Sequence, residues 1–107
     1  MGSESALHHL PRPRGRASLS SVRRRIDRLD GQLLRLVNRR AELALLIGRI
    51  KRRRSWPVFD ARREAFVLRL VTRENRGPLS ARAVARIFQA VLRECRRRER
   101  TSKKRRR

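Results

Sequence analysis

Val22, Ile26, Leu29, Leu33 and Leu36, then Leu43, Ile47 and Ile50, form a seam of apolar residues through the first half of the chain. The steps are 4, 3, 4 and 3, then a gap of seven, then 4 and 3, which is a heptad pattern. It predicts one helix from a cap at Ser20 or Ser21 to about Arg54, roughly 33 residues and ~50 Å at 1.5 Å per residue. In a chain of 107 residues such a helix has no means of burying its seam against itself. The seam is expected to pack on the rest of the chain and on a second copy, because a domain this small buries little surface alone.

The remaining pattern is also helical. Ser55-Trp56-Pro57 ends the first helix, since proline disfavours α geometry in the residue before it, and Trp56 reads as an apolar anchor for the loop. Asp60 reads as the cap of a second helix at about 61–75, with a stripe of Val67, Leu70 and Val71 and with Phe66 beside it. Asn75-Arg76-Gly77-Pro78 stops that helix with a glycine past its end and then a proline. Ser80 caps a third helix at about 81–100, striped by Val84, Ile87, Phe88, Val91, Leu92 and Cys95, with Glu99 one turn further along the same face. No strand pattern is present, and an aromatic content of 4% leaves the core to Leu, Ile, Val and Ala, which suit helices. The expected architecture is all-α, with three helices per chain. Residues 1–18 lack any period and read as a disordered lead; 19–100 form the helical domain; 101–107 form a basic disordered tail.

Composition narrows the chemistry. There are 32 basic and 9 acidic residues, a net charge of +23, which suggests a polyanionic partner. Many of the arginines, however, are interleaved with leucines inside the periodic segments, as an arginine-rich proteome would also produce. The single cysteine, Cys95, forms no internal disulfide and is compatible with a reducing compartment. No apolar run resembles a signal peptide or is long enough to span a membrane, so the chain is expected in the cytoplasm. There is no CxxC pair, P-loop or GxGxxG. His8 and His9 lie in the lead and read as a solvated pair, without metal ligands at suitable spacing. Chemistry therefore falls to Arg, Lys and Glu, a set suited to electrostatic stabilisation of an anionic ligand with no metal or cofactor.

Arg40 occupies the gap in the seam. A charge at a core heptad position is costly unless it is paired or its head group escapes to water, and spacing alone leaves both open. Lys51 follows Arg40 by eleven residues, about three full turns, so the two share a face roughly 16 Å apart along the axis. That leaves room for a small carboxylate ligand between two long cations. Arg23 precedes Lys51 by 28 residues, or ~42 Å along a straight helix, and points to another side. It serves the same ligand only from a partner chain.

Three segments resemble the all-helical (type II) chorismate mutases. Residues 22–51, from Val-Arg-Arg-Arg-Ile-Asp-Arg-Leu-Asp through Asn-Arg-Arg-Ala-Glu-Leu-Ala to Ile-Gly-Arg-Ile-Lys, look like that family's first helix. Pro57-Val58-Phe59-Asp60-Ala61-Arg62-Arg63-Glu64 is similar to its P-V-x-D-x-x-R-E segment. Ile87 to Cys95 resembles its third helix. The resemblance covers about residues 19–99 and rests on the first two motifs together.

The resemblance implies an intertwined homodimer with two active sites shared between the protomers. It implies an isomerase that rearranges chorismate to prephenate in aromatic amino-acid biosynthesis. By position, Arg40 matches an arginine that holds a substrate carboxylate, and Arg23 one that reaches a carboxylate from the other protomer. Lys51 matches a lysine contacting a carboxylate and the ether oxygen. Asp60 and Glu64 match the pair near the ring hydroxyl, with Glu64 the direct acceptor and Asp60 often acting through its backbone. Arg63 matches a supporting arginine. Cys95 and Glu99 stand where serine and glutamine are frequent. A glutamate donates to the ether oxygen only when protonated, so activity is expected to fall as pH rises. The implied mechanism has no covalent step. Arginines grip both carboxylates and select the reactive conformer, while Lys51 and protonated Glu99 stabilise charge growing on the ether oxygen. Because the sequence stops soon after the third helix, a stand-alone mutase is expected, without a fused dehydratase or dehydrogenase domain. Two alternatives are an isochorismate pyruvate-lyase on the same fold, whose members depart from the segment intact here at Val58–Glu64, and a basic helical protein binding nucleic acid through the Lys103–Arg107 tail. An inactive structural relative, or an enzyme needing a partner that docks on the tail, is a third.

Overall fold

Three serines crowd the start of the first helix, and Ser18 caps it in place of the expected Ser20 or Ser21. The Ser18 Oγ accepts a hydrogen bond from the Ser21 backbone N–H at 3.1 Å, while the Ser21 hydroxyl returns one to the Ser18 carbonyl at 3.0 Å. The first of these bonds satisfies one of the backbone N–H donors that a helix start leaves open. The structure, a computed structural model, describes residues 17–105, with side chains through Thr101. It holds three helices: α1 Leu19–Arg53, α2 Ala61–Glu74 and α3 Ala81–Arg105.

α1 ends in a tight reversal. Ser55 adopts a left-handed φ of 57°. The Ser55 N–H donates to the Arg52 carbonyl at 3.2 Å and the Trp56 N–H to the Lys51 carbonyl at 2.8 Å. This is the Schellman arrangement, with serine where glycine is usual. Trp56 is held through this backbone bond and by Arg54, whose guanidinium lies 5.1 Å from the ring centroid, and the ring is half exposed. α2 begins where expected, with the Asp60 carboxylate accepting from the Arg63 N–H at 3.0 Å. It stops at Glu74. Asn75 is extended, and its side chain ties the following turn, donating to the Leu79 carbonyl at 2.8 Å and accepting from the Gly77 N–H at 3.1 Å. Ser80 caps α3 through a 3.0 Å bond from the Ala83 N–H.

α3 runs five residues beyond the expected end at 100. No glycine or proline interrupts Arg96–Arg105. Arginine and lysine are good helix formers, and cations are favoured at a helix C-terminus. The expected tail at 101–107 is therefore helical through Arg105. Its last two residues lie outside the described residues, as do positions 1–16 of the lead, His8 and His9 among them.

α3 packs on both α1 and α2, whereas α1 and α2 do not pack on each other. The shared core is slim: Ala44 of α1, Val67 of α2, and Val84, Leu92 and Cys95 of α3. On α1 the buried positions are the small residues Ala44 and Gly48, with Ala41 half buried one turn earlier, so the helices meet along a small-residue strip. The leucine seam does not turn inward. Leu29, Leu33 and Leu36 are 61%, 59% and 67% exposed. The body measures 59 × 27 × 15 Å. Its thinnest dimension is little more than the ~10–12 Å diameter of one helix, so nothing among the described residues covers the far face of α1. No described helix is long and apolar enough to cross a membrane.

Candidate active site

The α1–α3 contact opens near Lys51 into a cleft of about 450 Å³, closed at one end by the loop 54–60 and the start of α2. Its floor is apolar, with Leu43, Ala44 and Ile47 from α1 facing Leu92 and Cys95 from α3. Its rim carries the charges.

Arg40 and Lys51 both line this cleft, as their three-turn spacing predicts. Lys51 is fixed. Its Nζ donates to the Val58 carbonyl at 2.6 Å and to Glu99 Oε1 at 2.8 Å, and both charged side chains are 15% exposed. An ammonium has three protons, so one remains for a ligand. The same lysine ties the end of α1 to the loop and to α3, and it gives the cleft its shape. Arg40, half buried, has no acidic partner among the described residues. A cleft-lining guanidinium with no carboxylate beside it is available to an anion.

Of the remaining expected residues, all but Arg23 line the same cleft. Asp60 and Arg63 line the cleft at the α2 start; the Asp60 side chain is committed to its cap, and the Arg63 guanidinium rests 5.4 Å from the Phe66 ring centroid. Glu64 also lines the cleft. Cys95 is 4% exposed and forms part of the floor. Glu99 serves in this arrangement as an acceptor for Lys51. Arg23 is exposed and lies outside the cleft, since it and Lys51 sit at opposite ends of one continuous helix. Among the described residues no three His, Cys, Asp or Glu side chains gather to hold a metal.

Sequence reasoning passed over one residue. Arg96 NH1 donates to Glu64 Oε2, and the Arg96 guanidinium lies 5.2 Å from the Phe59 ring centroid. The pairing spans 32 positions and depends on how α2 lies on α3, so no spacing rule reveals it.

Fold and site together define an all-helical protein whose cleft sets an arginine and a lysine on one wall. The family model described as chorismate mutase type II matches residues 22–100. The chain belongs to that family. Its relatives include bifunctional chorismate mutase/prephenate dehydratases of Neisseria gonorrhoeae, 42% identical over 73 residues, and of Pseudomonas aeruginosa, 39% identical over 82 residues. The Escherichia coli (strain K12) protein of the same description is 37% identical over 75 residues. The matched regions cover 68%, 72% and 69% of this chain but 20%, 22% and 19% of those proteins, so the chain spans about a fifth of their length.

Proposed function

We propose that the chain is a chorismate mutase, converting chorismate to prephenate by an intramolecular rearrangement in the cytoplasm, as an intertwined homodimer with shared sites. The observation that carries this reading is the pair Arg40 and Lys51 on one cleft wall, with Arg40 lacking any acidic partner among the described residues. The substrate is a dianion that must fold into a chair-like shape before one C–O bond breaks and one C–C bond forms. Arg40 takes one carboxylate in a bidentate grip. Arg23 of the partner subunit takes the other, and holding both ends selects the reactive conformer. As the C–O bond stretches, charge grows on the ether oxygen, where the third Lys51 proton and a protonated Glu99 stabilise the transition state more than the ground state. Glu64 accepts from the ring hydroxyl, with Asp60 beside it presenting backbone groups.

Two features of the chain support the dimer. The seam of α1 is left uncovered, and Arg23 is too far along α1 to reach its own cleft. The direct test is to add chorismate to purified protein and follow the loss of its ultraviolet absorbance, with prephenate identified as the product and isochorismate run alongside. Conversion of chorismate, with kcat falling at least ~100-fold in Lys51→Ala, is expected. No conversion of chorismate, or release of pyruvate from isochorismate instead, would overturn the assignment.

A further inference from the structure

Arg96 stands next to the cleft without forming part of its wall. Glu64 lines the cleft, whereas Arg96 reaches the same carboxylate from behind, through Oε2. Both side chains are largely shielded, at 22% and 23% exposure, and the guanidinium is packed on Phe59. One arginine of α3 thus joins the loop before α2, the first turn of α2 and the body of α3. A charge-assisted bond in such shielding is stronger than one in open water.

We infer that Arg96 is a positioning residue for this site, holding the Glu64 carboxylate at the cleft wall and keeping it from the substrate-binding cations. This inference rests on the mutase reading, through the role of Glu64 as acceptor for the ring hydroxyl. Arg96 engages Oε2 and leaves Oε1 to meet that hydroxyl. Without Arg96, the cations that line the same cleft, Arg40, Lys51 and Arg63, are left to attract the carboxylate. A carboxylate drawn to them competes with the substrate's own carboxylates. Arg96 therefore acts on substrate binding more than on the chemical step.

A double-mutant cycle tests this. Arg96→Ala is expected to lower kcat/KM by roughly 10- to 100-fold, chiefly by raising KM, as loss of a bond to a charged group implies. Arg96→Lys should recover part of the loss, since an ammonium keeps the charge but not the fork. In a Glu64→Gln background the side chain has no charge to misdirect, so Arg96→Ala should cost no more than about twofold. Equal losses in the two backgrounds, or a loss confined to kcat, would overturn the inference while leaving the mutase assignment intact. Thermal unfolding of each variant is measured in parallel. If Arg96→Ala fails to fold, the same cycle is run with Arg96→Lys. Failure of the wild-type chain to convert chorismate would remove the mutase assignment and this inference with it.

Discussion

Replacing Leu33 and Leu36 together by alanine should weaken the proposed dimer by several powers of ten while leaving the buried core of each chain in place. In the single chain these side chains are 59% and 67% exposed, so neither holds the chain's own core together. Burying a whole leucine side chain is worth about 1.5–3 kcal/mol, and the exposed fraction leaves ~1–2 kcal/mol per leucine for a second copy to gain. A two-fold dimer carries four such leucines, so the double substitution should cost ~4–8 kcal/mol of association. At ~1.4 kcal/mol per factor of ten, dimerisation becomes roughly a thousand- to five-hundred-thousand-fold weaker. Sedimentation equilibrium over a concentration series reads the dissociation constant. Circular dichroism at the highest concentration checks that the helices persist, and the unfolding midpoint should now rise with protein concentration. A dissociation constant within about tenfold of the wild type would refute the placement of this seam at the interface.

Two further outcomes follow from the geometry. If Glu99 donates to the ether oxygen, Glu99→Gln, whose amide is also a donor, should keep turnover within about tenfold, whereas Glu99→Ala should lose more than that. Turnover of Glu99→Ala equal to the wild type would contradict this role for Glu99. Ser55→Gly should stabilise the chain by ~0.5–1 kcal/mol, since φ at this position is 57° and glycine adopts it without a Cβ clash. An unfolding midpoint equal to or below the wild type would show that the Ser55 backbone carries no such strain.

The part of the fold written in local pattern was legible from the residues alone. The heptad steps gave α1, and Asp60 and Ser80 marked the starts of α2 and α3 because a short acceptor side chain before an apolar period has few other uses. The Arg40–Lys51 pair was legible for the same reason, since an eleven-residue interval on a helix fixes a shared face. Choosing among Ser18, Ser20 and Ser21 was beyond pattern, as all three can cap and the reciprocal bond between Ser18 and Ser21 decides. Which face of α1 meets α3 was also hidden. The leucines were the conspicuous stripe, yet Ala44 and Gly48 are the buried residues, because small side chains let the two helices approach. The Arg96–Glu64 pair and the Lys51–Val58 bond are tertiary events that no periodicity encodes.

If one substrate is held by cations from two chains, Arg23→Ala and Lys51→Ala each remove one half of every such site. Unfolding the two inactive variants together and refolding them as a mixture produces hybrid dimers in which one site regains both Arg23 and Lys51 while the other loses both. About half of the dimers should be hybrids with one working site each, so the mixture should recover up to about a quarter of wild-type turnover. A mixture no more active than the two variants measured separately would contradict the shared site.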